Sequence, residues 1–247
     1  MNEIISDKSK SVPELNTNST DKLVSSLKVL LGAVPVAGPL LAEIVTQIIP
    51  NQRIDRMNQY MELLSLRLDQ LNISHEVLKS KIAAIDLIED SFYQAARAST
   101  KSRLKYIANL LANGLSNESI TCEESRFVLK ILEELSDLEL IWLRFYQDEV
   151  MDSDHEFREK HSNVLKPVVT HLSSAEETIE KAAIQEGYKE RLARMNLIRI
   201  RYKVDQKTGT TVIDPYSGAP KIQTRSLSPL GRLVLKMIEF DLVDREN

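Results

Sequence analysis

Residues 54–71 read Ile54-Asp-Arg-Met57-Asn-Gln-Tyr-Met61-Glu-Leu-Leu64-Ser-Leu-Arg-Leu68-Asp-Gln-Leu71. Ile54, Met57, Met61, Leu64, Leu68 and Leu71 recur at alternating spacings of three and four. On a helix of 3.6 residues per turn that spacing forms one apolar seam, whereas a half-buried strand would alternate every second residue. The register runs on through His75, Leu78, Ile82, Ile85, Glu89, Phe92 and Ala96, with His75 and Glu89 as polar interruptions. Asn72-Ile-Ser74 is a natural break, because both polar side chains compete for backbone hydrogen bonds. The seam predicts an antiparallel helical bundle, with an intermolecular coiled coil as the other arrangement that would bury it.

Composition agrees with a mainly α fold. The 247 residues include only 7 Gly and 8 Pro, and from Asn51 to Asp148 there is one glycine, Gly114, and no proline. So few turn formers cannot punctuate the many short strands of a sandwich or barrel. An apolar fraction of 43% with a net charge of −4 is that of a folded chain, not a disordered one. The length suits one large or two modest domains.

Working outward, residues 1–19 are polar and form an expected flexible tail, without the basic and apolar blocks of a secretory signal. Cys122 is the single cysteine, which excludes an intramolecular disulfide and fits a reducing cytoplasm. Residues 20–150 form the expected bundle. It begins with an apolar hairpin bent at Gly32, Pro35, Gly38 and Pro39, followed by Leu40 and Leu41. Residues 29–49 carry one charge, Glu43. They read either as a buried helical hairpin or as a membrane-active one that would bring a cytoplasmic protein to the membrane on activation. The longest uncharged run, 29–42, falls short of a spanning helix.

Beyond it, Lys101–Leu111 has helical spacing, with Asn113-Gly114 as a stop signal. Thr121-Cys-Glu-Glu124 matches a capping box ahead of an apolar helical run that continues through Trp142 and Tyr146. Residues 148–166 are charged and irregular.

The C-terminal third changes sign. Residues 186–232 carry Lys189, Arg191, Arg194, Arg199, Arg201, Lys203, Lys207, Lys221, Arg225 and Arg232 against Glu186, Glu190, Asp205 and Asp214, on an otherwise acidic chain. Ser174-Ala-Glu-Glu177 matches a second capping box, and Gly187 suggests a turn between two short helices. Residues 197–204 alternate apolar and basic, which predicts a strand with one positive face, and 221–226 is its partner. Ser228-Pro229 is an N-cap followed by proline at the first helical position.

Helix, turn, helix, hairpin and closing helix is the order of a winged helix. Residues 170–243 resemble the winged-helix modules of many bacterial regulators. Asn196 stands where such modules commonly have glycine, and Leu227-Ser-Pro-Leu-Gly231-Arg232 opens the last helix. Two partners fit the basic face. Nucleic acid would be met by Lys189, Arg191 and Arg194 from the helix and by Arg199, Arg201, Lys203 and Lys207 from the hairpin. Alternatively the face docks on protein, because the helix lacks an Asn/Gln/Ser/Thr row for reading bases.

No motif points to catalysis, a cofactor or a metal. His155, His161 and His171 lack ligand spacing, His155-Glu156 is not completed as a zinc motif, and no glycine-rich loop precedes a Lys-Ser/Thr pair.

The stretches Val34-Pro35-Val-Ala-Gly38-Pro39-Leu40, Ile49-Pro50-Asn51-Gln52-Arg53-Ile-Asp-Arg56 and Lys105-Tyr106-Ile107-Ala108-Asn109-Leu110-Leu111-Ala112-Asn113-Gly114-Leu115 are similar to bacterial proteins of the Abi-alpha group, linked to abortive phage infection. The resemblance implies a helical protein in phage defence and brings no catalytic residues. The expectation is therefore a non-enzymatic effector or adaptor acting by protein contacts, as a monomer or homo-oligomer. A winged-helix DNA-binding regulator is the alternative.

Overall fold

The computed structural model describes residues 54–71, 83–116, 119–147, 154–171, 173–215 and 218–245. The apolar hairpin, with Gly32, Pro35, Gly38, Pro39, Leu40 and Leu41, lies outside the described residues, as do His75, Leu78 and Ile82 of the extended seam. The fold is mainly α, with one small antiparallel sheet near the C-terminus.

Helix α1 (Ile54–Gln70) follows the seam, with Met57, Met61, Leu64 and Leu68 buried. Helix α2 (Ala83–Arg97) and α3 (Lys101–Ser116) follow. Helix α3 is buried on nearly every side, through Leu104, Tyr106, Ile107, Ala108, Leu110, Leu111, Ala112 and Leu115. A helix apolar all round belongs at the centre, and α3 packs against both α1 and α2.

Gly114 was expected to end this helix, yet α3 continues to Ser116. The glycine serves close approach: a Cβ there would lie 2.8 Å from the Ser125 side chain of α4 (Cys122–Glu134). Helix α4 starts at the Thr121–Glu124 capping box read from the sequence. Thr121 Oγ1 accepts from Glu124 N–H at 3.1 Å, and Glu124 Oε2 accepts from Thr121 N–H at 2.8 Å. The Thr121 N–H, together with the Thr121 hydroxyl that donates to the same Oε2 at 2.9 Å, holds the Glu124 carboxyl below its ordinary range.

The run expected to continue through Tyr146 breaks at Leu135. A second capping box, Ser136 with Glu139, opens α5 (Asp137–Phe145). Two short helices, α6 (His155–Lys160) and α7 (Ser162–Leu165), then bury Phe157 and Leu165.

Helix α8 spans Glu176–Arg194 without interruption. Two sequence expectations are corrected here. Ser174 does not cap it, because Ser174 Oγ accepts from His171 N–H at 2.7 Å and Ala175 holds the N-cap position. Gly187 makes no turn, so the two short helices expected before the hairpin are one long helix. After it, Asn196 adopts φ +57°, the left-handed geometry suited to the glycine position it occupies.

Strands β1 (Ile198–Tyr202) and β2 (Ile222–Leu227) pair antiparallel, with Ile198 opposite Leu227 and Tyr202 opposite Ile222. Helix α9 (Pro229–Ile238) opens as read, with Ser228 Oγ accepting from Gly231 N–H at 2.9 Å. The closing helix does not run on to Leu242 as one piece. Glu239 takes φ +52° and separates α9 from α10 (Phe240–Arg245). Asn109 and Asn113 of α3 hold that break by donating to the carbonyls of Ile238 (3.1 Å) and Met237 (2.9 Å). Arg67 and Asn113 bind the Glu239 carboxylate.

Helices α9 and α10 both pack on α3, so Leu192, Leu197, Val234, Met237 and Phe240 share one continuous core with the bundle.

Candidate functional site

The basic residues singled out from the sequence divide into two sets. Lys189 and Arg191 face the bundle. Arg191 Nη1 lies 3.1 Å from both carboxylate oxygens of Glu139, and Nη2 donates to the Glu134 carbonyl. Glu139 is fully buried at the start of α5, and Glu134 ends α4. One guanidinium therefore meets a free helix-end carbonyl and a first-turn carboxylate together, and clamps α8 to the α4–α5 corner. Lys189 Nζ sits 4.7 Å from the Trp142 ring centroid and 3.4 Å from Glu186 Oε2. Glu186 also accepts from Arg225 on β2, so α8 and the sheet are tied together from the same side. Leu192, between these polar anchors, is fully buried.

Arg194, Arg199, Arg201, Lys203 and Lys207 are exposed. The face imagined for nucleic acid is thus not assembled as one surface. Two of its three helical residues, Lys189 and Arg191, are bound within the molecule, while Arg194 at the end of α8 and the hairpin residues face solvent.

The hairpin continues past the β-ladder as two tight turns of one design. In the first, Gly209 N–H donates to the Asp205 carbonyl and Asp205 N–H to the Thr210 carbonyl, both at 2.9 Å. In the second, Gly218 N–H donates to the Asp214 carbonyl and Asp214 N–H to the Ala219 carbonyl, again both at 2.9 Å. Both glycines have φ +68°, a conformation side chains other than Asn or Asp rarely adopt. The turns are nine residues apart, and so are the backbones they bring together. Lys203 N–H donates to Lys221 O (2.8 Å), Lys221 N–H to Val212 O (2.8 Å), and Val212 N–H to Lys203 O (2.9 Å). Three chain segments close a ring of hydrogen bonds, which stiffens the tip.

This repeat is written in the sequence as Val204-Asp205-x3-Gly209 and Ile213-Asp214-x3-Gly218, with Ile222 at the next nine-residue step. Counting hydrophobic periods for strands missed it, because the period belongs to the turns.

The repeat also gathers a set of side chains that the sequence reading did not single out. Val204 pairs with Thr211, Ile213 with Pro220, and Tyr202 with Ile222. Alternation on β1 and these pairings place Tyr202, Val204, Ile213 and Ile222 on one face, that of the buried Ile198; on β2 a register shift that skips Gln223 brings Ile222 to the same face as Leu227. They are 43%, 49%, 52% and 38% exposed. Arg199, Arg201 and Lys203 lie on the opposite face.

Elsewhere the polar groups serve structure. Arg144 binds Asp154 at 2.8 Å and Asp241 at 2.5 Å, and His161 Nε2 lies 2.9 Å from Asp244 Oδ1. These pairs fasten α6 and α7 to the C-terminal helix. Cys122 is buried. Among the described residues no group of His, Cys, Asp and Glu is placed to hold a metal, and no helix is long and apolar enough to cross a membrane. No protein-family model, curated protein or solved structure matches this chain.

Proposed function

We propose that the protein is a non-enzymatic adaptor that works through protein contacts, with its helical bundle presenting a winged-helix-like hairpin to a partner. One observation carries this reading: Lys189 and Arg191, two of the three basic residues of the helix that would have to enter a DNA groove, are bound to Trp142, Glu139 and the Glu134 carbonyl. Freeing Arg191 would leave the buried Glu139 carboxylate without its cation. The resemblance to the Abi-alpha group supports placing the contact in antiphage defence.

The full-length chain is captured from bacterial cells, with and without phage challenge, before and after nuclease treatment. A protein partner that survives nuclease is expected, together with no binding to duplex DNA at about 50 mM salt, where phosphate contacts are strong. Capture that depends on nucleic acid overturns the adaptor in favour of the DNA-binding regulator. That second reading draws on Arg194, Arg199, Arg201, Lys203 and Lys207, which could hold phosphates with no help from Lys189 or Arg191. The membrane arm of the proposal, through residues 29–49, predicts leakage of anionic liposomes by the chain, and intact liposomes remove it.

A further inference from the structure

Strand β1 alternates from Ile198 to Tyr202, while β2 skips Gln223 where the register shifts between Arg201 and Tyr202; the outer edge of β1 is covered by no described strand. Ser228 N–H donates to the Leu197 carbonyl and Lys203 N–H to the Lys221 carbonyl, so the backbone groups of Leu197 and Lys203 point toward β2 or its continuation. By alternation those of Ile200 and Tyr202 point away from it. The sheet has two strands, and β1 pairs with β2 alone among the described residues. That outward edge is flanked above and below by different chemistry. One face offers Tyr202, Val204, Ile213 and Ile222, exposed and held on the ring of hydrogen bonds at Lys203, Val212 and Lys221. The other offers Arg199, Arg201 and Lys203, also exposed.

We infer that the outer edge of β1 binds an extended segment whose residues alternate between acidic and apolar, added as a further strand. This rests on the adaptor reading and names the chemistry of its partner. A strand added there turns its odd and even side chains to opposite faces. Its apolar side chains then cover Tyr202 and Val204, while its carboxylates meet Arg199 and Arg201 across the ladder, where opposite charges stabilise the pairing. The charge of the element is one-sided: apart from Arg225, which is bound to Glu186, residues 198–227 hold Arg199, Arg201, Lys203, Lys207 and Lys221 against Asp205 and Asp214.

Other occupants use half of the surface or oppose it. A second copy adding the same strand would set Arg199, Arg201 and Lys203 against their own kind. A flat anionic membrane cannot meet the apolar and basic faces together, because they lie on opposite sides of the ribbon. Duplex DNA would leave the apolar face uncovered.

The probe is a fluorescein-labelled peptide of about eight residues alternating glutamate and valine, titrated into the full-length chain and read by anisotropy. Two controls carry the same valines, one alternating with lysine and one with glutamate and valine in separate blocks. The alternating acidic peptide is expected to bind at least about tenfold more tightly than either control, a difference of about 1.4 kcal/mol. Arg201→Glu and Val204→Ser, both at exposed positions, are each expected to weaken it about fivefold or more with the thermal melt unchanged. Amide exchange at Ile200 and Tyr202 slows in the complex.

Equal binding of the blocked peptide, or binding unaffected by both substitutions, overturns the proposal. So does binding of anionic vesicles or duplex DNA in place of the peptide. If the peptide fails while a nuclease-resistant partner is still captured from cells, this inference falls and the adaptor stands. If neither binds, both fall.

Discussion

The β1–β2 hairpin meets two environments within five residues of chain. At its base Ile198 and Leu227 face each other and are buried against the bundle; at its tip Tyr202 and Ile222 face each other in the same way and are exposed. The alternation of β1 runs unchanged between them, while β2 skips Gln223 and so returns Ile222 to the same face. What changes is the presence of a helix beneath the ribbon. The basic residues divide in the same manner, since Arg191 is bound to Glu139 while Arg201 is free to meet solvent. A side-chain pattern therefore specifies which residues share a face, and the length of the neighbouring helices decides how much of that face is covered. The uncovered length is where this molecule has surface to offer.

The sharpest way to break the comparison is at the base. A Cβ on Gly231 would overlap the Leu197 carbonyl oxygen and come within 2.8 Å of Leu227 Cδ1 and 3.1 Å of Leu143 Cδ1. Backbone must move to admit it, so Gly231→Ala is expected to lower stability by about 3 kcal/mol or more. A urea midpoint equal to that of the parent chain would show that the base is not packed as described. The charged half of the comparison is next in size. Arg191→Ala strips the fully buried Glu139 of its cation, although Glu139 keeps its bonds to Ser136. With Arg191 itself 39% exposed, the loss is discounted to about 2 kcal/mol from the range for buried pairs. Arg201→Ala should change stability by no more than about 0.5 kcal/mol. Equal losses at the two arginines would erase the distinction between bound and free basic residues.

How far the sequence could be read follows the range of the interaction concerned. The seam from Met57 to Leu68, the Thr121 capping box, the left-handed Asn196 and the Ser228-Pro229 start are local signals, and the structure realises each of them. The errors arise where tertiary contact overrides local preference. Gly114 reads as a stop signal but admits Ser125 of α4, and Gly187 reads as a turn but lies within α8. Helix propensity disfavours glycine by only about 1 kcal/mol, which packing of Leu192 and the Arg191 clamp can offset. The Ser136–Glu139 box was legible, since Ser136-Asp-Leu-Glu139 has the required spacing, but the apolar run across it masked the break. That Arg191 would find a buried Glu139 could not be read at all, because the pairing spans 52 residues and depends on how α8 docks.

A graded effect separates the aromatic groups of the body from the ordinary behaviour of an exposed phenol. Burial raises Tyr60 and Tyr106, and it pushes Tyr146 up to about 12 despite the opposing pull of Arg225. An unfolded tyrosine ionises near pH 10, so the folded chain holds these protons where the unfolded one releases them. Their contribution to stability is complete below about pH 10 and is lost as pH rises toward and through about 12. Circular dichroism and tyrosinate absorbance followed together should show helicity falling as the last phenols ionise. Full ionisation with helicity intact would place these rings in solvent.

The smallest expected effect is the most telling for the tip. Ile213 is 52% exposed and Val204 49%, and both stand on turns whose geometry comes from backbone bonds and from Gly209 and Gly218. Removing their apolar atoms takes little from the core, so Ile213→Ser or Val204→Ser should shift stability by no more than about 0.5 kcal/mol. Ile198→Ser, on the same face at the base, removes a buried side chain and adds a hydroxyl without a designed partner, for a loss of about 3 kcal/mol. Urea melts of the three variants test this directly. A tip variant as damaging as the base variant would mean that Ile213 or Val204 is covered in the free protein. The surface would then be filled by the chain's own residues, and no partner strand could use it. A tip variant that leaves the melt alone while abolishing partner capture assigns the exposed apolar set to binding, because stability gives no other reason for it to be there.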